Sequence, residues 1–129
     1  MTVRGIRGAT VAEADQPETI LAATRQLLSS IQDANPTLQT SDLVSVIFTV
    51  TEDLHSVYPA QAARQLGWTH VPLMCMQEIP VPGGLSRCIR VLLHWNTDLT
   101  QEFIQHVYLG AASNLRPDLK HGKTVKEDL

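Results

Sequence analysis

Lysine is missing from the first 119 residues of this 129-residue chain, because Lys120, Lys123 and Lys126 all lie at its end. Arg4, Arg7, Arg25, Arg64, Arg87, Arg90 and Arg116 are therefore the fixed positive side chains of the body. Arginine without lysine is what bidentate recognition of carboxylates asks for, although a biased composition produces the same pattern. Aromatic residues are also scarce, at 5%, and 13 acidic residues outnumber 10 basic ones, giving a net charge of -3. That balance argues against a nucleic-acid groove, which needs a basic surface and stacking platforms. Cys75 and Cys88 form neither a C-x-x-C pair nor a disulfide framework. There is no apolar run long enough to span a bilayer, and the opening Met-Thr-Val-Arg-Gly-Ile-Arg-Gly lacks the apolar stretch of a signal peptide. The expected location is the cytoplasm.

Catalytic and cofactor motifs are absent as well. His55, His70, His94, His106 and His121 show no metal-ligand spacing, and the chain contains no G-x-S-x-G, G-x-G-x-x-G or G-x-x-x-x-G-K. Neither a metal nor a cofactor is expected. What is present is ordinary globular composition, 43% hydrophobic and 18% charged, enough for one core in one domain. The expected domain runs over residues 1–119, with a polar, flexible tail over residues 120–129.

Hydrophobic periodicity predicts the elements. Val3 to Thr10 reads as a strand whose Gly5 and Gly8 admit a close neighbour. Asp15 and Glu18 have capping-box spacing, Pro17 suits a first turn, and Ile20, Leu21, Thr24, Leu27, Leu28 and Ile31 share one helical face up to Asn35-Pro36. Leu43 to Val50 is a β-branched strand. A short helix from Ala60 to Leu66 follows Tyr58-Pro59 and stops at Gly67. Further strands are expected over Val71 to Gln77, Arg87 to Trp95 and His106 to Ala112, with a helical turn from Asp98 to Glu102. The Pro80–Gly84 stretch reads as a loop connector. The pattern predicts an α+β fold, a single mixed five-stranded sheet with helices on one face. The other face then needs a cover, for which symmetric self-assembly is the simplest source.

Alternation along the fourth strand puts Cys88, Arg90, Leu92 and His94 on one face. A mid-strand Arg90 either pairs with an interior acid or addresses an anionic ligand. Arg7 shares a face with Val3, Gly5 and Ala9, either as a surface cation or beside a small-residue gap. Cys75 reads as a small buried hydrophobe, Glu78 as a loop acid, and Tyr108 as a core residue with a wet hydroxyl. The set is rich in fixed donors and poor in nucleophiles and bases. It suits carboxylate binding, or a reaction that needs only positioning and electrostatics.

Several ordered motifs carry a family resemblance across residues 3–119: the opening VRGIRGAT, the stretch Asp53-Leu54-His55 to Tyr58-Pro59-Ala60 with Ala63-Arg64, Val71-Pro72 through Cys75-Met76-Gln77-Glu78, Gly83-Gly84-Leu85 to Cys88-Ile89-Arg90-Val91, and His106-Val107-Tyr108-Leu109 with Leu115-Arg116-Pro117-Asp118. Together they resemble the monofunctional chorismate mutases of the trimeric, barrel-like bacterial class. The resemblance implies a homotrimeric pseudo-α/β barrel with sites between subunits. It also implies the intramolecular Claisen rearrangement of chorismate to prephenate, the branch step toward phenylalanine and tyrosine. It assigns Arg90 to the ether oxygen and Arg7 to a carboxylate, with Tyr108 beside it. Glu78 and Cys75 would hold the ring hydroxyl, Tyr58 and Arg64 would come from the neighbouring subunit, and Leu115 and Arg116 would close the pocket. Tyr58 stands where phenylalanine is common, and Gln61 where some members carry a charge. A carboxylate-binding trimer without catalysis and an imine or enamine deaminase are the other readings of such an architecture.

Overall fold

A computed structural model describes residues 1–115. The expected Arg116 contact and the tail over residues 120–129 lie outside the described residues. Among the described residues two α-helices and five strands organise the fold: β1 (Thr2–Val11), α1 (Pro17–Ala34), β2 (Leu43–Val50), α2 (Ala60–Gln65), β3 (Leu73–Gln77), β4 (Cys88–Thr97) and β5 (Val107–Tyr108). The strands form one mixed sheet in the order β3-β2-β4-β1-β5. β4 runs antiparallel to both β1 and β2, whereas β3 and β5 join parallel at the two edges.

Register sorts the sheet into a core face and an open face. Ile6 of β1, Val46 and Phe48 of β2, and Val91, Leu93 and Trp95 of β4 lie in one core cluster with Leu27, Leu28 and Ile31 of α1 and Ala60 and Ala63 of α2. The six residues expected on one helical face are the buried residues of α1. Gly8 lies where α1 crosses β1. A Cβ there would stand 2.9 Å from Ile31 Cδ1, 3.1 Å from the Val107 carbonyl oxygen and 3.2 Å from Leu27 Cδ1. Only a residue without a side chain lets helix and strand come this close. The opposite face leaves Val3, Met74, Met76 and Leu92 exposed.

Several element ends differ from expectation, each for a local reason. α1 begins after Gln16, with no side-chain cap, because the Asp15 carboxylate is engaged elsewhere: its Oδ1 accepts from the backbone N–H groups of His55 and Ser56 at 3.0 and 3.1 Å and from the Ser56 hydroxyl at 2.8 Å. β3 begins at Leu73 rather than Val71, its first ladder bond running from Val46 N–H to the Pro72 carbonyl. β4 begins at Cys88 because Arg87 adopts a left-handed φ of 49°. Asp53 holds that turn, accepting the Arg87 N–H at 2.9 Å. The turn expected from Asp98 is a single 3-10 turn, Gln101–Phe103, preceded by Thr100, and Asp98 instead faces the chain's amino group at 3.7 Å. β5 has two residues rather than seven, since Gly110 at a φ of 58° bends the chain into a 3-10 turn over Gly110–Asn114. The Gln101 side-chain amide stands in for the missing strand by bonding both the N–H and the C=O of Gly5, at 3.1 and 2.7 Å.

Candidate active site

Arg90 occupies the middle of the open face. Its neighbours across the ladders are Ala9 on β1 and Thr49 on β2. Ala9 is fully buried and too short to fill the space beside a guanidinium, while Thr49 supplies a hydroxyl. Arg7 faces the same way two residues back along β1, opposite Leu92. The Arg7 backbone N–H is bound by His106 Nδ1 at 2.9 Å, so β1 stays fixed where β5 has not yet begun. Tyr108 pairs with Ala9 on the other edge and is almost wholly buried. Leu115 packs against the small cluster of Ala9, Tyr108 and Ala112.

Glu78 reaches the site from beyond the end of β3. Its backbone N–H continues the ladder to the Val50 carbonyl at 2.7 Å, turning the side chain across β2. The carboxylate Oε1 accepts the Thr49 hydroxyl at 2.7 Å, and Oε2 lies 3.1 Å from Arg90 Nε. The Arg90–Glu78 contact is an ion pair without hydrogen-bond alignment, since Arg90 Nε, itself shielded from solvent, makes no hydrogen bond. Arg7, Thr49, Glu78, Arg90 and Tyr108 line one cavity of about 390 Å³. Of the two readings left open for Arg90, the structure shows the pairing with an acid, and the same guanidinium borders this cavity.

Tyr58 and Cys75 belong to a second cavity of about 530 Å³, beside the loop that leads into α2. Tyr58 is 73% exposed at its rim. Cys75 lies in register with Phe48 and packs on the core side of β3, so within one protomer it does not join Glu78. Arg64 sits in the last turn of α2, near enough to Cys75 for its charge to oppose the rise that burial imposes on the thiol. Burial likewise pushes the Cys88 thiol up, against the opposing charge of Arg90. Both cysteines therefore stay protonated at neutral pH and are poor nucleophiles. Among the described residues no group of histidine, cysteine and acidic side chains is arranged to hold a metal ion, and no helix is long and apolar enough to cross a membrane.

The residue missed in the sequence is Thr49. Its signal was legible, because Ser45, Ile47 and Thr49 alternate with the apolar Val46, Phe48 and Val50, which marks a polar position on the open face of a buried strand.

The cavity offers fixed positive charge, a tyrosine hydroxyl and one carboxylate already engaged by two partners. It suits an anion whose charge shifts during reaction, rather than attack by a nucleophile. Comparison with known proteins agrees. The profile of the family described as chorismate mutase type I matches residues 3–119. A chorismate mutase AroH from Thermus thermophilus is 56% identical over 118 residues, covering 92% of this chain and 97% of that protein. Its counterpart from Bacillus subtilis is 49% identical over 127 residues, covering 98% and 99%. The solved structure of a chorismate mutase from Clostridium thermocellum superposes with a TM-score of 0.81 at 49% identity, covering 84% of this chain and 96% of that one.

Proposed function

The chain belongs to the chorismate mutase type I family and rearranges chorismate to prephenate in aromatic amino acid biosynthesis, and from that premise we propose that it does so by positioning and electrostatics alone, in a site centred on Arg90. The observation that carries this reading is the convergence of Arg7, Arg90, Glu78 and Tyr108 on one cavity whose described lining holds no cysteine, serine or histidine. In the rearrangement an ether C–O bond breaks while a C–C bond forms within the same molecule. No proton leaves or arrives and nothing is oxidised. Negative charge grows on the ether oxygen as the C–O bond lengthens, and the Arg90 guanidinium stabilises it there more than in the ground state. Arg7 grips a carboxylate as a two-point fork, with the Tyr108 hydroxyl beside it. Glu78 accepts from the ring hydroxyl, and Leu115, packed against Ala9 and Tyr108, shields that side of the site. Holding the enolpyruvyl arm in its chair-like conformer supplies the rest of the acceleration.

Tyr58 and Arg64 complete the site from a neighbouring copy in a homotrimer, and Cys75, which borders the same cavity as Tyr58, meets the ring hydroxyl with Glu78. The support is twofold: these residues sit apart from Arg90 in one protomer, and Val3, Met74, Met76 and Leu92 leave the open face apolar. A cytoplasmic location accords with this chemistry. The test is incubation of the purified protein with chorismate across neutral pH, following loss of substrate absorbance and identifying prephenate. The expected turnover is nearly independent of pH; a bell-shaped profile would replace positioning with acid–base chemistry.

A further inference from the structure

Thr49 faces Arg90 directly across the β2–β4 ladder, yet its hydroxyl is given to Glu78 Oε1 at 2.7 Å. The remaining oxygen, Oε2, lies 3.1 Å from Arg90 Nε, and that nitrogen makes no hydrogen bond. A carboxylate beside a guanidinium ordinarily turns to form two parallel N–H···O bonds. Here it does not, and two bonds act on Glu78: the Thr49 hydroxyl on Oε1 and the backbone bond from Glu78 N–H to the Val50 carbonyl. Only the first acts on the carboxylate itself.

We propose that Thr49 is a positioning residue whose hydroxyl keeps Glu78 from closing a two-point pair on Arg90, so that the guanidinium donors stay available to the oxyanion of the transition state. The inference rests on the roles given above to Arg90 and Glu78. A guanidinium committed to Glu78 must break that pair in every turnover, which raises the barrier without weakening the grip of Arg7 on the ground-state carboxylate.

The test compares Thr49→Val, which replaces the hydroxyl with a methyl group of similar shape and suits a strand, with the smaller Thr49→Ala and with Thr49→Ser, which keeps the hydroxyl. Loss of a hydrogen bond to a charged group predicts a kcat lower by roughly tenfold in the first two variants, with KM changed far less. Thr49→Ser restores kcat, and Thr49→Val retains the wild-type melting temperature. In a Glu78→Ala background Thr49→Val adds no further loss. Wild-type kcat in both hydroxyl-free variants, failure of serine to rescue, or a loss that persists in full without Glu78 would overturn the inference. Wild-type turnover in Glu78→Ala itself would instead overturn the underlying role of Glu78.

Discussion

Arg90 can occupy a strand interior because its neighbours are small or polar: Ala9 leaves room on one side, Thr49 offers a hydroxyl on the other, and Glu78 supplies the opposing charge at 3.1 Å. Alternation along β4 was enough to put Arg90 on a face with Cys88 and Leu92, but it could not name the partner. Glu78 follows β3, and β3 adjoins β2 rather than β4, so the acid reaches Arg90 only by turning across an intervening strand. That path has no signature in sequence spacing. Lysine keeps the charge at this position but loses the planar fork and the second donor direction. Arg90→Lys is therefore expected to cost roughly 3 kcal/mol of transition-state stabilisation, about a hundredfold in turnover, by comparison with removal of one oxyanion donor. Steady-state kinetics on chorismate measures it, and an unchanged kcat would remove Arg90 from the reaction.

Where periodicity is strong, the buried face was legible, and for β2 the ends as well. The buried face of α1 and the limits of β2 follow from apolar spacing, because each packs a full face on the core. Elements that end by long-range contacts were not. Asp15 has the spacing of a helix cap, but its carboxylate instead binds the His55–Ser56 segment, about forty positions away in the chain, and so ties the start of α1 to the loop that presents Tyr58. The hydrogen bond from the His55 backbone, with others from Ser56, holds the Asp15 carboxyl below its ordinary value of 3.8. A lowered folded-state pKa contributes stability above the unfolded value and loses it as pH falls through the folded one. Asp15→Asn is therefore expected to lower the melting temperature at neutral pH and to flatten its decline below about pH 4, measured by thermal unfolding across the acid range. Parallel curves for the two proteins would show that this strap contributes nothing.

At the scale of the whole molecule, the candidate residues fall into two sets that one protomer keeps apart: Arg7, Glu78, Arg90 and Tyr108 around one cavity, and Tyr58 and Cys75 around another, with Arg64 beside the latter. The net charge of -3 said nothing of this, since a local pair of arginines can hold an acid inside an acidic protein. In the proposed assembly the open sheet face is covered by neighbouring copies, and each site takes one set from either side of the interface. The most direct measurement is complementation. Arg90→Ala and Arg64→Ala each disable a different set, and each alone is expected to be nearly inactive. Unfolding the two variants together in equal amounts and refolding them yields mixed trimers in which about a quarter of the sites combine two intact sets. Recovery of that fraction of wild-type turnover is the expected result. A mixture no more active than its separate components would contradict a site shared between subunits.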